Sequence, residues 1–160
     1  MVTDQSAQIE RRQLPAGSIA YQQFHGTIPS IESVTASVRS WVVTMGFRAT
    51  GPMAVEIDGT PSADLSEEYD VEVQLPVEDR AQADPTDKVQ IKPFAATDAV
   101  VLTLQGPHEL THIDAPLAQL REWVAAQGLQ TRPVVRWVEV TNPTTVAPAE
   151  QLTEVQFLVA

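Results

Sequence analysis

The sequence predicts an α+β domain built as a pseudo-twofold duplication of a β-α-β-β unit. Its antiparallel sheets carry helices on one face and leave a ligand cleft on the other. Three observations predict this: landmarks recur at a fixed offset, each half holds one apolar stripe at helical spacing, and the remaining segments alternate with the period of strands. Val89-Gln90-Ile91-Lys92 stands 80 positions after Ile9-Glu10-Arg11-Arg12, and Gly106 keeps that offset from Gly26. Trp41 and Trp123, Gly46 and Gly128, and the triplets Glu72-Val73-Gln74 and Glu154-Val155-Gln156 are each separated by 82. Two residues added between positions 107 and 114 account for the change. The landmarks keep the same order in both halves.

The elements follow in order. Ile19 to His25 and Ala99 to Gln105 read as strands that end at a glycine. Ile31, Val34, Val38, Trp41, Val42 and Met45 then recur at helical spacing, with Gly46 as a C-cap. In the second half Leu117, Leu120, Trp123 and Val124 give the same stripe ahead of Gly128. Asp114 is the expected N-cap there, and Pro116 is tolerated in the first turn. Met53 to Asp58, Tyr69 to Val77, Val134 to Thr141 and Thr153 to Val159 alternate as strands. The predicted organisation is a flexible tail over residues 1–8 and a single domain over 9–160. Within it, one repeat covers about 9–77, a linker 78–88 and the second repeat about 89–160. Neither half has enough core to stand alone.

Composition limits the function classes. The 160 residues include no cysteine, which excludes disulfides and thiolate metal sites. Twenty-one acidic residues against 10 basic ones give a formal charge of −11. That field repels phosphate backbones, and no Lys/Arg cluster opposes it, so direct nucleic-acid binding is not expected. No stretch has the apolar length of a membrane span, and the N-terminus lacks a secretory core. The expectation is a cytoplasmic protein, a monomer or weak dimer. There is no P-loop, no G-x-G-x-x-G and no G-x-S-x-G, and no cofactor is implied.

Strand alternation assigns the faces. Val155, Phe157 and Val159 are expected to meet the helix, leaving Glu154 and Gln156 opposite. Met53, Val55 and Ile57 point inward and Glu56 outward; Val71 and Val73 inward, Glu72 and Gln74 outward. Between Val134 and Thr141 the expectation is Val134, Val138 and Val140 inward, with Val135, Trp137 and Glu139 on the helix-free face. Tyr21, Gln23 and His25 share that face. The helix-free surface then mixes Trp137 and Tyr21 with carboxylates, with Glu56 matched to Glu139 and Glu72 to Glu154. A solvated face rarely needs a tryptophan, whereas pockets combine apolar walls with a few placed polar groups. Glu154, Glu139, Trp137, Glu56 and Tyr21 are the candidate ligand-binding residues. Aromatic rings beside carboxylates suit a flat or cationic small molecule.

The strand-glycine turns Phe24-His25-Gly26 and Leu104-Gln105-Gly106-Pro107, the helix ends Ser40-Trp41 and Glu122-Trp123, the pair Gly51-Pro52 and the closing Leu152-Thr153-Glu154-Val155-Gln156-Phe157 resemble the GyrI-like effector-binding domain. The resemblance runs from about Ile9 to Val159. It implies two β-α-β-β halves with a ligand cleft between them and makes Glu154 the central acid contacting cationic, aromatic drugs. Family members commonly carry a tyrosine where this chain has Glu139; His108, and Ile28 in the first half, replace the tyrosine usual after Gly-Pro. Some stand-alone relatives are hydrolases using a glutamate, which makes Glu154 acting as a general base the alternative function. Too little chain precedes the first predicted strand for a helix-turn-helix, so a stand-alone sensor or sequestering protein is expected, with a regulatory protein as a further partner.

One rival motif remains. His108-Glu109-Leu110-Thr111-His112 spells the H-E-x-x-H signature of zinc peptidases, in which both histidines of a helix face would ligate the metal. The duplication places it in the loop that gained two residues, and Asp114 and Pro116 start the helix after it. No third-ligand motif accompanies it, so His108 and His112 are only weak metal candidates.

Overall fold

The computed structural model describes residues 9–62, 64–106, 113–141 and 145–160. Among the described residues eight strands and two α-helices follow in the order β1 (Ile9–Leu14), β2 (Gly17–Thr27), α1 (Ile31–Thr44), β3 (Ala54–Asp58), β4 (Glu68–Val77), β5 (Gln90–Phe94), β6 (Thr97–Gln105), α2 (Asp114–Ala126), β7 (Thr131–Glu139) and β8 (Leu152–Val159). All strands join one antiparallel sheet in the order β1-β6-β8-β7-β3-β4-β2-β5. Exchanging the halves reverses this order onto itself. The registers obey the offsets read from the sequence: Ile19–Pro76 maps onto Ala99–Leu158, and Ala54–Gln74 onto Arg136–Gln156. The internal twofold passes between Val55 and Trp137, which are equivalent residues paired with each other.

The α+β class and the helix-free second face are as expected. Each unit, however, carries one strand more than periodicity predicts: β1 and β5 precede the long strands. Glu10-Arg11-Arg12 and Pro93 hide them, because neither charge runs nor proline mark a central strand. Both are edge strands, where proline and charge are tolerated and discourage pairing with other chains. Residues 9–21 pair with 90–102 in one unbroken register, with Leu14 opposite Thr97 and Gly17 opposite Phe94. The ribbon bends at Pro15-Ala16 and Ala95-Ala96, so each half's first strand extends the other half's sheet.

That exchange forces the sheet to curl. In strand order β1 is first and β2 seventh. Six strand intervals would put them about 29 Å apart in a flat sheet. Leu14 and Gly17 are three Cα steps apart, at most about 11 Å. The sheet rolls into a trough to close the gap.

Both helices lie on the convex side, α1 against β2 and β4, α2 against β6 and β8. Their buried residues keep helical spacing: Ile31, Thr35, Val38 and Val42 in α1, and Leu117, Leu120 and Val124 in α2. Each helix stops at a left-handed glycine, Gly46 at φ 74° and Gly128 at φ 68°. The next residue closes the cap, Phe47 N–H donating to the Val42 carbonyl and Leu129 N–H to that of Val124, both at 3.1 Å. Asp114 is the first residue of α2 rather than its cap; Ile113 holds that position with no side-chain bond. No helix among the described residues is long and apolar enough to cross a membrane.

Candidate functional site

Directly paired residues in an antiparallel ladder share a face, so the concave surface can be read along two rows. One runs Tyr21, Gln74, Ala54, Val138, Glu154 and Thr103; the next runs Gln23, Glu72, Glu56, Arg136, Gln156 and Val101. The internal twofold exchanges the rows, pairing Glu154 with Glu72 and Gln156 with Gln74. In the middle it pairs Ala54 with Arg136. The symmetry therefore breaks where one half has a methyl group and the other a guanidinium.

Arg136 organises the floor. It is 7% exposed. Its Nη1 donates to Glu56 Oε2 at 2.5 Å and to Gln74 Oε1 at 2.7 Å, and its Nε donates to Gln156 Oε1 at 3.0 Å. Each glutamine passes its amide proton to an acid: Gln156 Nε2 reaches Glu154 Oε1 at 2.9 Å, and Gln74 Nε2 reaches Glu72 Oε2 at 2.5 Å. The outer strands supply the last members. Arg12 of β1 donates to Glu154 Oε2 at 2.9 Å, and Lys92 of β5 donates to Glu72 Oε1 at 2.5 Å. These two ion pairs are equivalent under the internal twofold and each joins opposite halves. One chain of bonds thus runs Lys92, Glu72, Gln74, Arg136, Gln156, Glu154, Arg12, with no buried side-chain nitrogen or oxygen among the described residues left unbonded.

The electrostatics follow from this chain. Glu56 and Glu72 sit directly opposite one another, a repulsive placement offset by Arg136 and Lys92. Burial raises the Glu72 carboxyl, but bonds from Lys92, Gln74 and Gln23 outweigh it and hold the group below its ordinary value. Three carboxylates, Glu56, Glu72 and Glu154, meet three cations, Arg12, Lys92 and Arg136. These pairs balance the floor of the cleft, while Glu10, Asp58 and Asp70 add further acid on the same face.

Above Glu154 the trough opens into a cavity of about 340 Å³. Leu14, Ile19, Pro52, Pro76, Phe94 and Val138 wall it, and Arg12, Glu154, Gln156, Gln74 and Arg136 form its polar base. The Glu154 side chain is 12% exposed, shielded yet reachable. Such a mixture of apolar wall and few convergent polar groups is characteristic of small-molecule sites.

The structure brings some of the predicted residues together and separates others. Glu154 and Glu56 lie on the concave floor. Tyr21 is on the same face, its ring 4.2 Å from the Lys92 ammonium. Trp137 is not there. It is 3% exposed within the core beneath the helices, because it pairs with Val55 and Val155, both core residues. Glu139 shares its phase and turns to the helix side, 3.8 Å from Arg39 of α1. The expected faces of β7 are therefore reversed: Val135 and Trp137 point inward, and Arg136 and Val138 line the trough. In the segment Val134-Val135-Arg136-Trp137-Val138 both phases are largely apolar, so alternation does not decide. The duplication does. An offset of 82 equates Trp137 with the inward Val55 and Glu56 with Val138, whereas matching Glu56 to Glu139 needs 83. That offset was the signal for Arg136, and the offset of 80 links Arg12 to Lys92. His108 and His112 lie outside the described residues.

No family sequence model matches the chain, and neither does any curated protein sequence. Solved structures do match. The EcmrR C-terminal domain superposes with a TM-score of 0.79 at 18% identity, covering 96% of this chain and 97% of that one. In the EcmrR–DNA complex the same fold accounts for 57% of the longer EcmrR chain. A hydrolase encoded by lin2189 from Listeria innocua matches with a TM-score of 0.62 at 13% identity, covering 96% and 92%. SAV2435 bound to tetraphenylphosphonium matches with a TM-score of 0.55 at 12% identity, covering 95% and 93%. The likeness spans the whole domain, and the chain has the fold that the resemblance to GyrI-like effector-binding domains implies.

Proposed function

We propose that this protein is a small-molecule-binding domain whose ligand enters the concave trough and sets a cationic group against Glu154. The single observation that carries this is the apolar-walled cavity closing on a shielded, hydrogen-bonded carboxylate. The ligand's apolar or aromatic body would pack on Leu14, Pro52 and Phe94, and its charge would take over the place of the Arg12 guanidinium. Arg12 is placed to yield, since it already holds a second carboxylate, Glu10, at 2.6 Å. The tetraphenylphosphonium held by SAV2435 is an example of this ligand class. In the cell the domain would act as a sensor passing occupancy to a regulatory protein, or as a sequestering protein.

Hydrolysis with Glu154 as general base is the second reading, favoured by the likeness to the Listeria innocua hydrolase. It requires a water to reach a free lone pair of the carboxylate while Arg12 and Gln156 bond its two oxygens. Binding only exchanges one cationic partner of the carboxylate for another, and is placed ahead for that reason.

A thermal-shift titration with tetraphenylphosphonium tests the assignment. At 100 times Kd a single site stabilises by about 2.7 kcal/mol, raising Tm by roughly 5–11 °C in a chain of this size. The shift should fall away in Glu154→Gln. An equal shift in that variant, or none in the wild type, would overturn the proposal. Turnover of an activated aryl ester, lost in Glu154→Gln, would move the protein to the hydrolase reading.

A further inference from the structure

The concave face holds a second cavity, of about 240 Å³, built over the other ion pair, Glu72 with Lys92. Ten of its twelve lining residues are twofold equivalents of residues lining the cavity above Glu154, so it is the same site formed by the other half rather than an unrelated depression. Ala95-Ala96 stands where Pro15-Ala16 stands in the first cavity, and Leu158 where Pro76 stands. Phe94 lines both, together with Ile19 and Gln74.

We infer that the trough contains two aromatic-cation subsites, one per half, and that a ligand with two cationic aromatic heads straddles Phe94 to fill both. The inference rests on the binding role proposed above and extends it to ligand class. Each subsite offers the same three parts: a shielded carboxylate, an apolar wall, and an internal cation with somewhere else to go. Arg12 has Glu10. Lys92 has the Tyr21 ring, over which its ammonium already lies at 4.2 Å, a favourable cation–π position. A ligand cation takes the place of the side-chain cation at each carboxylate, so entry leaves no carboxylate unpaired. Size agrees. At 340 and 240 Å³ the cavities lie at and below the lower end of the roughly 300–1,000 Å³ occupied by drug-sized ligands. The second is limited to a single-ring head, and the first takes such a head or a larger one. The polar linings differ at two places: the second subsite has Glu56 where the first has Val138 and Arg132 where the first has Thr50, and is the more polar.

Benzamidine, a flat ring bearing a guanidinium-like cation, is the monovalent probe, and two benzamidines joined by an alkylene chain form the bivalent one. Isothermal titration should give two benzamidine equivalents per wild-type chain and one equivalent of the linked compound. With both heads seated, the linked compound should bind 10²–10⁴-fold more tightly than benzamidine. Ala96→Trp fills the second cavity and Ala16→Trp the first, both at exposed bends outside the core. Either should reduce benzamidine to one equivalent and abolish the bivalent gain. Glu72→Gln, which keeps the shape of the side chain, should weaken only one of the two equivalents. A single wild-type equivalent lost in Ala16→Trp but kept in Ala96→Trp would refute the second subsite and leave the Glu154 site standing. No benzamidine binding and no response to tetraphenylphosphonium would remove both.

Discussion

Replacing Arg136 by methionine removes the central member of the floor while keeping a long apolar stem. Three bonds disappear at once, to Glu56, Gln74 and Gln156. Gln74 and Gln156 are each 3% exposed, so their carbonyl oxygens would be left without donors and without water. An orphaned buried acceptor costs about 1–3 kcal/mol, and removing one partner of a buried ion pair costs about 3–5 kcal/mol. The Glu56 side chain is 19% exposed and regains some water, and both glutamines are free to rotate, which together pull the sum toward the lower figures. The expected loss is about 3–5 kcal/mol, or roughly 6–20 °C in Tm. Urea denaturation followed by circular dichroism, with the slope m checked for constancy, gives the measurement. The double variant Arg136→Met with Glu56→Gln should recover part of the loss, because the stranded charge is gone. A single-variant loss below about 1 kcal/mol would refute the reasoning, since Arg136 would then be a dispensable surface charge rather than the hub of a closed network.

Further expectations follow from other parts of the fold. Trp137→Ala should cost about 3–5 kcal/mol as a core cavity yet leave cation binding intact in protein that remains folded; selective loss of binding would return Trp137 to the trough. Glu72 has a lowered folded value, so its contribution to stability is present above its unfolded value and is lost as pH falls through the lower folded one. Lys92→Met should therefore lower neutral stability and flatten the acid decline, because the Glu72 share of it is removed, seen in Tm measured between about pH 3 and 6; an unchanged acid limb would count against the ion pair. Gly128→Ala meets no atom within 4 Å, so only the left-handed backbone opposes it, at about 1 kcal/mol. A neutral result in thermal denaturation would contradict the cap.

Much of this architecture is written in local signals. Helical spacing in Ile31–Val42 and Leu117–Val124, the two cap glycines and the alternation of β3, β4 and β8 are properties of short segments, and the chain shows them without reference to contacts. The offsets of 80 and 82 carry more, because a duplicated sequence must fold twice in the same way. They fix the pairing of Glu72 with Glu154 and, applied consistently, the inward face of Trp137. Where the local signal is degenerate, alternation alone does not choose. In β7 both phases are apolar, and the ladder through Val55 and Val155, with its irregularity between Thr131 and Val135, decides which one is buried. β1 and β5 are edge strands whose charges and proline conceal them, and only their pairing with the opposite half reveals them as strands. The ion pairing of the trough floor is the least local feature of all. Arg12 and Glu154 lie 142 positions apart, and Arg136 and Glu56 80. Composition determines that this protein is acidic; only the curling of the sheet determines which of its acids are paired, because an ion pair exists only where folding puts its two charges together.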